Sequence, residues 1–275
     1  MNSFKTYHNP VVVTSLSIIT QIVGLGLPSF KQLLKKFLNR IFKLFQQTQA
    51  TDSDFTNSLF KCISELIKNY TANQDLSDYQ IKALVQIIRD SVDKHKIQGN
   101  ALQCLRSVVH RKYTCADLYD LIETVQEMMI SSVHKLIRGL CSGVFVQFLL
   151  DYPLENSRVE QHISFLLKNL AFKQESGRIQ LLQTLQTLIV KFPARVVDIY
   201  GELLFFSLLL RLVNDPSADC RLLVTGVLTA LVSAEKVSQN KLKAIFNSLL
   251  KMGEHKDQME PGKRDQLLLA KLYGL

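Results

Sequence analysis

The chain has no tryptophan, and only 11 glycines and 6 prolines in 275 residues. Long stretches contain neither glycine nor proline. A β-rich fold needs such turn residues at close intervals, so the pattern favours helices. Cysteine is scarce and odd in number: Cys62, Cys104, Cys115, Cys141 and Cys220, in apolar contexts and with no Cys-x-x-Cys pair. That argues against a disulfide framework or a zinc site, and the five read as reduced core thiols of an intracellular protein. Acidic residues are missing from one end. Residues 1–50 contain no Asp or Glu, although the whole chain carries 24 of them against 33 Lys and Arg, a net charge of +9. This uneven balance points to an anionic partner (RNA, phospholipid or an acidic protein segment) or to the solvated surface of something larger.

The signatures of chemistry are also missing. There is no GxGxxG, HExxH or GxSxG. A P-loop needs a glycine-rich turn and a Lys followed by Ser or Thr. Here Gly262-Lys263 is followed by Arg264, and Asp257 stands where the upstream glycine would be. His134 and Cys141 lie two turns apart on one helical face, but a core cysteine with a surface histidine nearby accounts for them better than a nucleophile pair. Asp117, Asp120 and Glu123 fall at the start of a helix, where negative charge is favourable without any metal. No catalytic, metal-binding or cofactor-binding residue is assigned, and the expectation is a protein that is not an enzyme.

Residues 6–30 hold no Asp, Glu, Lys or Arg, which raises the question of a membrane. The run VVVTSLSIITQIVGLGL is interrupted by Thr14, Ser17 and Gln21 on one helical face. A spanning helix wants about 20 predominantly apolar residues. A buried helix of a helical stack explains the polar stripe better, and no cleavable leader pattern is evident.

Amphipathic helices are what the chain has in abundance. RLVNDPSADCRLLVTGVL, from Arg211 to Leu228, reads as helix, break, helix. Leu203, Leu204, Leu208, Leu212 and Val213 form one apolar side before the break. Pro216 stops the helix by Asp215, suits the first position of the next helix, and leaves Asp215 as its cap. Leu222, Val224, Leu228 and Leu231 supply the stripe after it.

The break belongs to a repeat. IQGNALQCLRSVVHRKY (97–113), IRGLCSGVFVQFLLDYP (137–153), GRIQLLQTLQTLIVKFP (177–193) and CRLLVTGVLTALVSAEK (220–236) align at spacings of 40, 40 and 43. Their second positions are Gln98, Arg138, Arg178 and Arg221; seven residues on stand Leu105, Phe145, Leu185 and Leu228; ten on, Val108, Phe148, Leu188 and Leu231. Each is preceded by another amphipathic helix: 77–94 with a Ser77–Gln80 capping box, 114–132, 157–172 and 195–214. Flanking helices are expected over 11–23, 29–47, 54–70, 238–252 and 263–273. A period near 40 with two helices falls in the HEAT/armadillo range. The expected fold is an all-α solenoid of stacked antiparallel pairs, one segment over 1–275, clearest across 77–236, with flanking helices over 11–70 and 238–273.

LLRLVNDPSADCRLLVTGVL resembles the HEAT signature, in which a turn Asp and an Arg early in the second helix join neighbouring repeats. Asp215 and Arg221 match both positions, Arg138 and Arg178 match the Arg alone, and Gln98 departs from it. Over roughly 110–232, the strings KYTCADLYDLIETVQEMM, VQFLLDYPL, RVEQHISFLLKNLAF, ESGRIQLLQTLQTLIVKFP and LLRLVNDPSADCR together resemble the DRIM (down-regulated in metastasis) family. These are very large HEAT-type proteins associated with the U3 small nucleolar ribonucleoprotein. The resemblance implies a nucleolar, non-catalytic scaffold of the small-subunit processome, with processome proteins, U3 ribonucleoprotein and pre-ribosomal RNA as partners. Against that family the chain is short and resembles a fragment. The rival readings are a transport-receptor-like HEAT module and a membrane-associated helical protein.

The stretch SFKQLLKKFLNRIFKLFQQ (29–47) bears most on partners. Leu33, Leu34, Phe37, Leu38, Ile41, Leu44 and Phe45 make one broad apolar face; Lys36, Arg40 and Lys43 cluster opposite, with Lys31 and Lys35 at the edge. These three cations are candidate RNA-phosphate contacts, because clustered Lys and Arg bind backbone without reading sequence. A solvated solenoid face and a membrane-surface helix are the alternatives. The uncharged first helix and the run Leu267, Leu268, Leu269 and Leu272 lack the polar outer faces of capping repeats. The isolated chain is therefore expected to self-associate. Sedimentation at rising concentration checks this: a clean monomer throughout, unchanged on adding flanking repeats, would refute it.

Overall fold

The computed structural model describes residues 9–28, 33–47, 53–69, 76–233 and 236–254. Lys31, the Gly262-Lys263 pair and the expected helix over 263–273 lie outside the described residues. Those described form twelve α-helices and no strand: α1 Asn9–Gly24, α2 Leu34–Gln47, α3 Ser53–Asn69, α4 Asp78–Arg89, α5 Gln98–His110, α6 Ala116–Ser131, α7 Lys135–Asp151, α8 Asn156–Lys168, α9 Glu175–Lys191, α10 Ala194–Asn214, α11 Ala218–Ser233 and α12 Gln239–Glu254. The fold is an all-α solenoid built from helix pairs. None of the described helices is long and apolar enough to cross a membrane.

Helix ends follow the local chemistry. Ser77 caps α4: its hydroxyl accepts the Gln80 N–H at 3.3 Å, and the Gln80 side-chain amide oxygen Oε1 accepts the Ser77 N–H at 3.0 Å. α10 stops at Asn214, and Asp215 is extended, as a residue before proline prefers. The start of α11 differs from expectation. Ser217, not Asp215, is the cap, its hydroxyl accepting the Cys220 N–H at 3.2 Å. Pro216 therefore lies ahead of the helix rather than at its first position. Asp215 turns its carboxylate inward and braces the turn by accepting the Ser217 N–H at 3.0 Å.

The chain forms two compact units. The first comprises Met1–Met128 and Gly139–Pro153. In it α1 packs on α3 and α3 on α5, forming a row of second helices, while α2 covers α3 and α4 covers α5. Leu59, Phe60, Ile63, Leu84, Ile88, Leu105, Phe145 and Phe148 are fully buried there. Phe45 meets Phe60 edge-on at 5.1 Å, and Tyr119 meets Phe148 edge-on at 6.1 Å. Polar bonds tie one period to the next: Asn100 to Asn57 at 2.7 Å, Gln80 to Asn39 at 2.9 Å, and the Tyr152 hydroxyl to the Tyr113 carbonyl at 3.0 Å. Their partners stand 43, 41 and 39 residues apart, so the sequence period is also the contact period.

The second unit comprises Met129–Arg138 and Leu154–Leu275. Here α9 packs on α11, and α10 packs on both α11 and α12. Lys236 donates to the carbonyls of Ile189 and Phe192 at 3.0 and 2.8 Å, satisfying free acceptors at the end of α9.

The aligned positions fall inside second helices. Leu105, Phe145, Leu185, Val108, Phe148, Leu188 and Leu231 are buried. Leu228 is half-buried, and Val227 takes the innermost place beside it. Two apolar assignments at the break are corrected: Val213 and Leu222 are 73% and 74% exposed. At 100° per residue each sits nearly half a turn off the buried line, which runs through Leu204 and Leu208 in α10 and Cys220, Val224, Val227 and Leu231 in α11. The first helix is corrected too. Only Leu16 and Val23 of α1 are buried, whereas Val11, Ile18 and Leu25 are 65%, 51% and 71% exposed. One face of α1 meets α3, and the remainder is half-buried or exposed among the described residues.

Gly177, at the register position held elsewhere by Ile97, Ile137 and Cys220, is where backbone approaches closest. A methyl group there would meet the Ile130 carbonyl oxygen at 2.3 Å and the Phe172 ring at 2.6 Å. Neither can move without displacing its own helix or turn. Gly177→Ala is expected to lower the urea-unfolding free energy by about 1–3 kcal/mol. Gly139→Ala, in open space, should be neutral or gain up to about 1 kcal/mol from helix propensity. Equal behaviour of the two variants in urea titrations would show that the close approach carries no energetic weight.

Candidate interaction surfaces

The three register arginines do the same local job. The Arg138 guanidinium donates to the Ser132 and Val133 carbonyls at 2.8 and 3.2 Å. Arg178 donates to Phe172 and Lys173 at 2.9 and 3.2 Å, and Arg221 to the Asp215 carbonyl at 2.6 Å. Each reaches the carbonyl six residues back, fixing the turn before its own helix. Gln98 is too short for this, and its amide meets the His95 ring nitrogen at 3.2 Å instead.

Arg178 also reaches the next hairpin. Its Nε and Nη2 donate to both carboxylate oxygens of Asp215, at 2.9 and 3.0 Å, with the two side chains 7% and 1% exposed. Burial alone would lower the Arg178 pKa, but the hydrogen bonds and charge of Asp215 outweigh it and hold the guanidinium above its ordinary value. The carboxylate comes from the residue six before the next register arginine, Arg221. The same place before Arg178 is Phe172, which has none to give to Arg138. The Arg138 Nε is accordingly buried without a hydrogen-bond partner. Between Arg138 and Arg221, then, one rung is formed rather than a continuous ladder.

The basic helix α2 is divided in its use. Leu34, Leu38, Ile41, Phe42 and Phe45 are buried, and α2 packs on α3. Leu33, Phe37 and Leu44, expected to share that buried face, instead line an open groove of about 410 Å³ together with Ile41 and with Val12, Leu16 and Ile19 of α1. Lys36 and Arg40 line the same groove, so they stand beside apolar surface rather than across the helix from it. Lys43 is exposed and takes no part in the lining. Periodicity alone could not reveal this, because it shows a helix face but not how much of the face a neighbour covers.

A second hollow in the first unit, about 600 Å³, is lined by Lys68, Gln103, Arg106, His110 and Gln147 among others. Its charges are partly matched within the unit, Lys68 by Glu65 at 3.2 Å and His110 by Asp151 at 3.9 Å. Burial pushes the Cys62 thiol up to about 11 and those of Cys104 and Cys141 up to about 12, so all three stay protonated at neutral pH. Burial, then the charge of Arg158, brings His162 down to about 4. His134 is exposed ahead of α7. Asp120 pairs with Arg89 at 3.5 Å, and Asp117 accepts from the Cys115 thiol at 3.8 Å. Among the described residues no cluster of His, Cys, Asp and Glu is arranged to hold a metal ion.

No family model matches the chain. It is 24% identical over 266 residues to the U3 small nucleolar RNA-associated protein 20 of Schizosaccharomyces pombe, a match covering 96% of this chain and 10% of that protein. The protein of the same name from Saccharomyces cerevisiae is 22% identical over 232 residues, 84% of this chain and 9% of that one. The chain thus spans about a tenth of the length of these curated relatives. Among solved structures, two engineered proteins align with TM-scores of 0.47 and 0.44, each at 12% identity, over 80% and 88% of this chain and 90% and 60% of theirs.

The Arg178–Asp215 pair makes a direct prediction. Asp215→Ala leaves a buried guanidinium uncompensated and is expected to cost about 3–5 kcal/mol of unfolding free energy. Replacing both residues, Arg178→Met with Asp215→Leu, should recover part of the loss but not all. The Phe172 and Lys173 carbonyls would still lose their donor. Denaturant midpoints check this, and an Asp215→Ala chain as stable as its parent would show the pair to be inconsequential.

Proposed function

We propose that the chain is a non-catalytic HEAT-type scaffold segment in ribosome biogenesis. It works as part of the U3 ribonucleoprotein and small-subunit processome during pre-18S ribosomal RNA processing, in the nucleolus. The observation that carries this reading is the alignment of nearly the whole chain, 96% of it, with a protein named for its association with U3 small nucleolar RNA. The DRIM-type strings quoted from the sequence lie inside the aligned repeats. The HEAT assignment draws support from the period near 40 and from the Arg178–Asp215 joint between successive hairpins. In this reading residues 1–275 are a single solenoid segment, matching one short region of the far longer relatives. Stacked hairpins bury their apolar faces on one another and leave long surfaces for other proteins and for RNA. Burial holds the Cys62, Cys104 and Cys141 thiols protonated, and in this reading the chain contributes shape and contact.

The test is a pull-down of the tagged chain from nucleolar extract, followed by RNA sequencing and protein identification. U3 RNA and unprocessed small-subunit precursor are expected to be enriched, and the enrichment should survive at moderate salt if protein contacts dominate over phosphate contacts. Recovery of transport cargo with no U3 RNA would replace this reading with the transport-receptor one.

A further inference from the structure

We propose that the groove between α1 and α2 receives an amphipathic helix of a partner protein, one whose apolar stripe is flanked by Asp and Glu. This inference is independent of the ribosome-biogenesis reading. The walls are Val12, Leu16 and Ile19 on one side and Leu33, Phe37 and Leu44 on the other. Helix-in-groove recognition uses apolar anchors spaced i, i+3 or i+4, and i+7, and a trough between two helices is the shape that accepts them. α1 and α2 have 16 and 14 residues, each a little over 20 Å long at about 1.5 Å per residue, room for roughly four turns of a guest. The apolar surface also continues past the groove edge, where Val11 and Ile18 stand exposed on the adjoining strip of α1.

The polar groups of α1 do not oppose this. Thr14, Ser15 and Thr20 donate their hydroxyls to the Pro10, Val11 and Leu16 carbonyls one turn back, at 2.9, 2.8 and 2.7 Å. Ser15, which lines the groove, therefore presents it with little beyond its methylene.

Charge selects the kind of guest. Lys36 and Arg40 border the apolar walls, Lys35 and Lys43 are exposed on the same helix, and α1 and α2 themselves carry no Asp or Glu. This sets the site apart from the hollow at Lys68 and His110, where Glu65 pairs with Lys68 and Asp151 stands beside His110. A cationic rim on an apolar trough complements carboxylates beside a hydrophobic stripe. RNA would satisfy the cations but leave the apolar walls uncovered, and Phe37 is the single aromatic side chain in the lining on which a base could stack.

The experiment uses the full chain and a fluorescent helical peptide of about 18 residues, long enough to hold helix. Its Leu residues recur at i, i+3 and i+7, flanked by Glu; a second peptide carries Lys in place of Glu. The acidic peptide is expected to bind saturably, and the basic one roughly tenfold more weakly or worse. Lys36→Glu combined with Arg40→Glu should reverse the preference. Because that variant gains affinity for the basic peptide, a misfolded chain cannot imitate the result. Absence of saturable binding, or equal binding of the two peptides, overturns the proposal. So does displacement of the acidic peptide by polyuridylate whose binding loses salt dependence when Lys36 and Arg40 are changed, which would make the surface an RNA site. Dimerisation abolished by Leu33→Arg, with no peptide binding, would assign the groove to a second copy instead.

Discussion

A single helical hairpin of this chain cannot bury its own apolar faces. Each second helix carries more hydrophobic surface than one partner can cover, so it must pack on the second helix of the neighbouring pair as well as on its own first helix. Leu105 and Val108 lie buried in α5, which packs on α3 of the preceding period, and Leu185 and Leu188 in α9, which packs on α11 of the next. That requirement sets the fold. It forces a spacing near 40 residues and sets neighbouring second helices side by side within each unit. It also places the cross-period hydrogen bonds of Asn57, Asn39 and Tyr113 about one repeat from their partners. Removing a hairpin from such an array would strip cover from both neighbours.

Apolar packing is non-directional, so something must fix the register. The arginines at 138, 178 and 221 serve this end by holding the turn before each second helix through the carbonyl six residues back. Where a carboxylate also falls at that turn, as at Asp215, the arginine of the preceding period is drawn into a buried bidentate pair. Where it does not, as at Phe172, the guanidinium is left with an unmatched nitrogen. Gly177 belongs to the same compromise. The Phe172 ring and the Ile130 carbonyl press on the start of α9 so closely that only hydrogen fits at its Cα. The two joints differ in chemistry but meet the same need, a turn that cannot slide.

The surfaces left over are where contacts with other molecules would form. The same unmet demand for cover that stacks the hairpins persists along α1, where Val11 and Ile18 face outward and a trough opens toward α2. Its cations lie beside the hydrophobic wall, which couples charge recognition to apolar burial in one place. The buried thiols and His162 are explained by packing, with no chemistry required of them.

Much of this was written in the sequence. Helix period, the Ser77 capping box, the stop before Pro216 and the recurrence of Arg at the second position are local or periodic properties, and they gave helices within a few residues of their true ends. Burial at Phe145, Phe148 and Leu185 followed from the same stripe. What the chain could not disclose was which atoms cross between periods and how far a face is covered. Asp215 read as a helix cap because capping is a local habit of Asp. In three dimensions its carboxylate answers a guanidinium 37 residues away, and Ser217 inherits the cap. Val213 and Leu222 read as core because they are apolar, but their angle carries them outside the packed strip. The face of α2 read as one surface, yet α3 covers only part of it, leaving Leu33, Phe37 and Leu44 beside Lys36 and Arg40. Sequence determines the periodicity of a helix and hence the face it offers. Only tertiary structure decides how much of that face a neighbour takes, because coverage depends on the angle and distance between helices that lie about 40 residues apart in the chain.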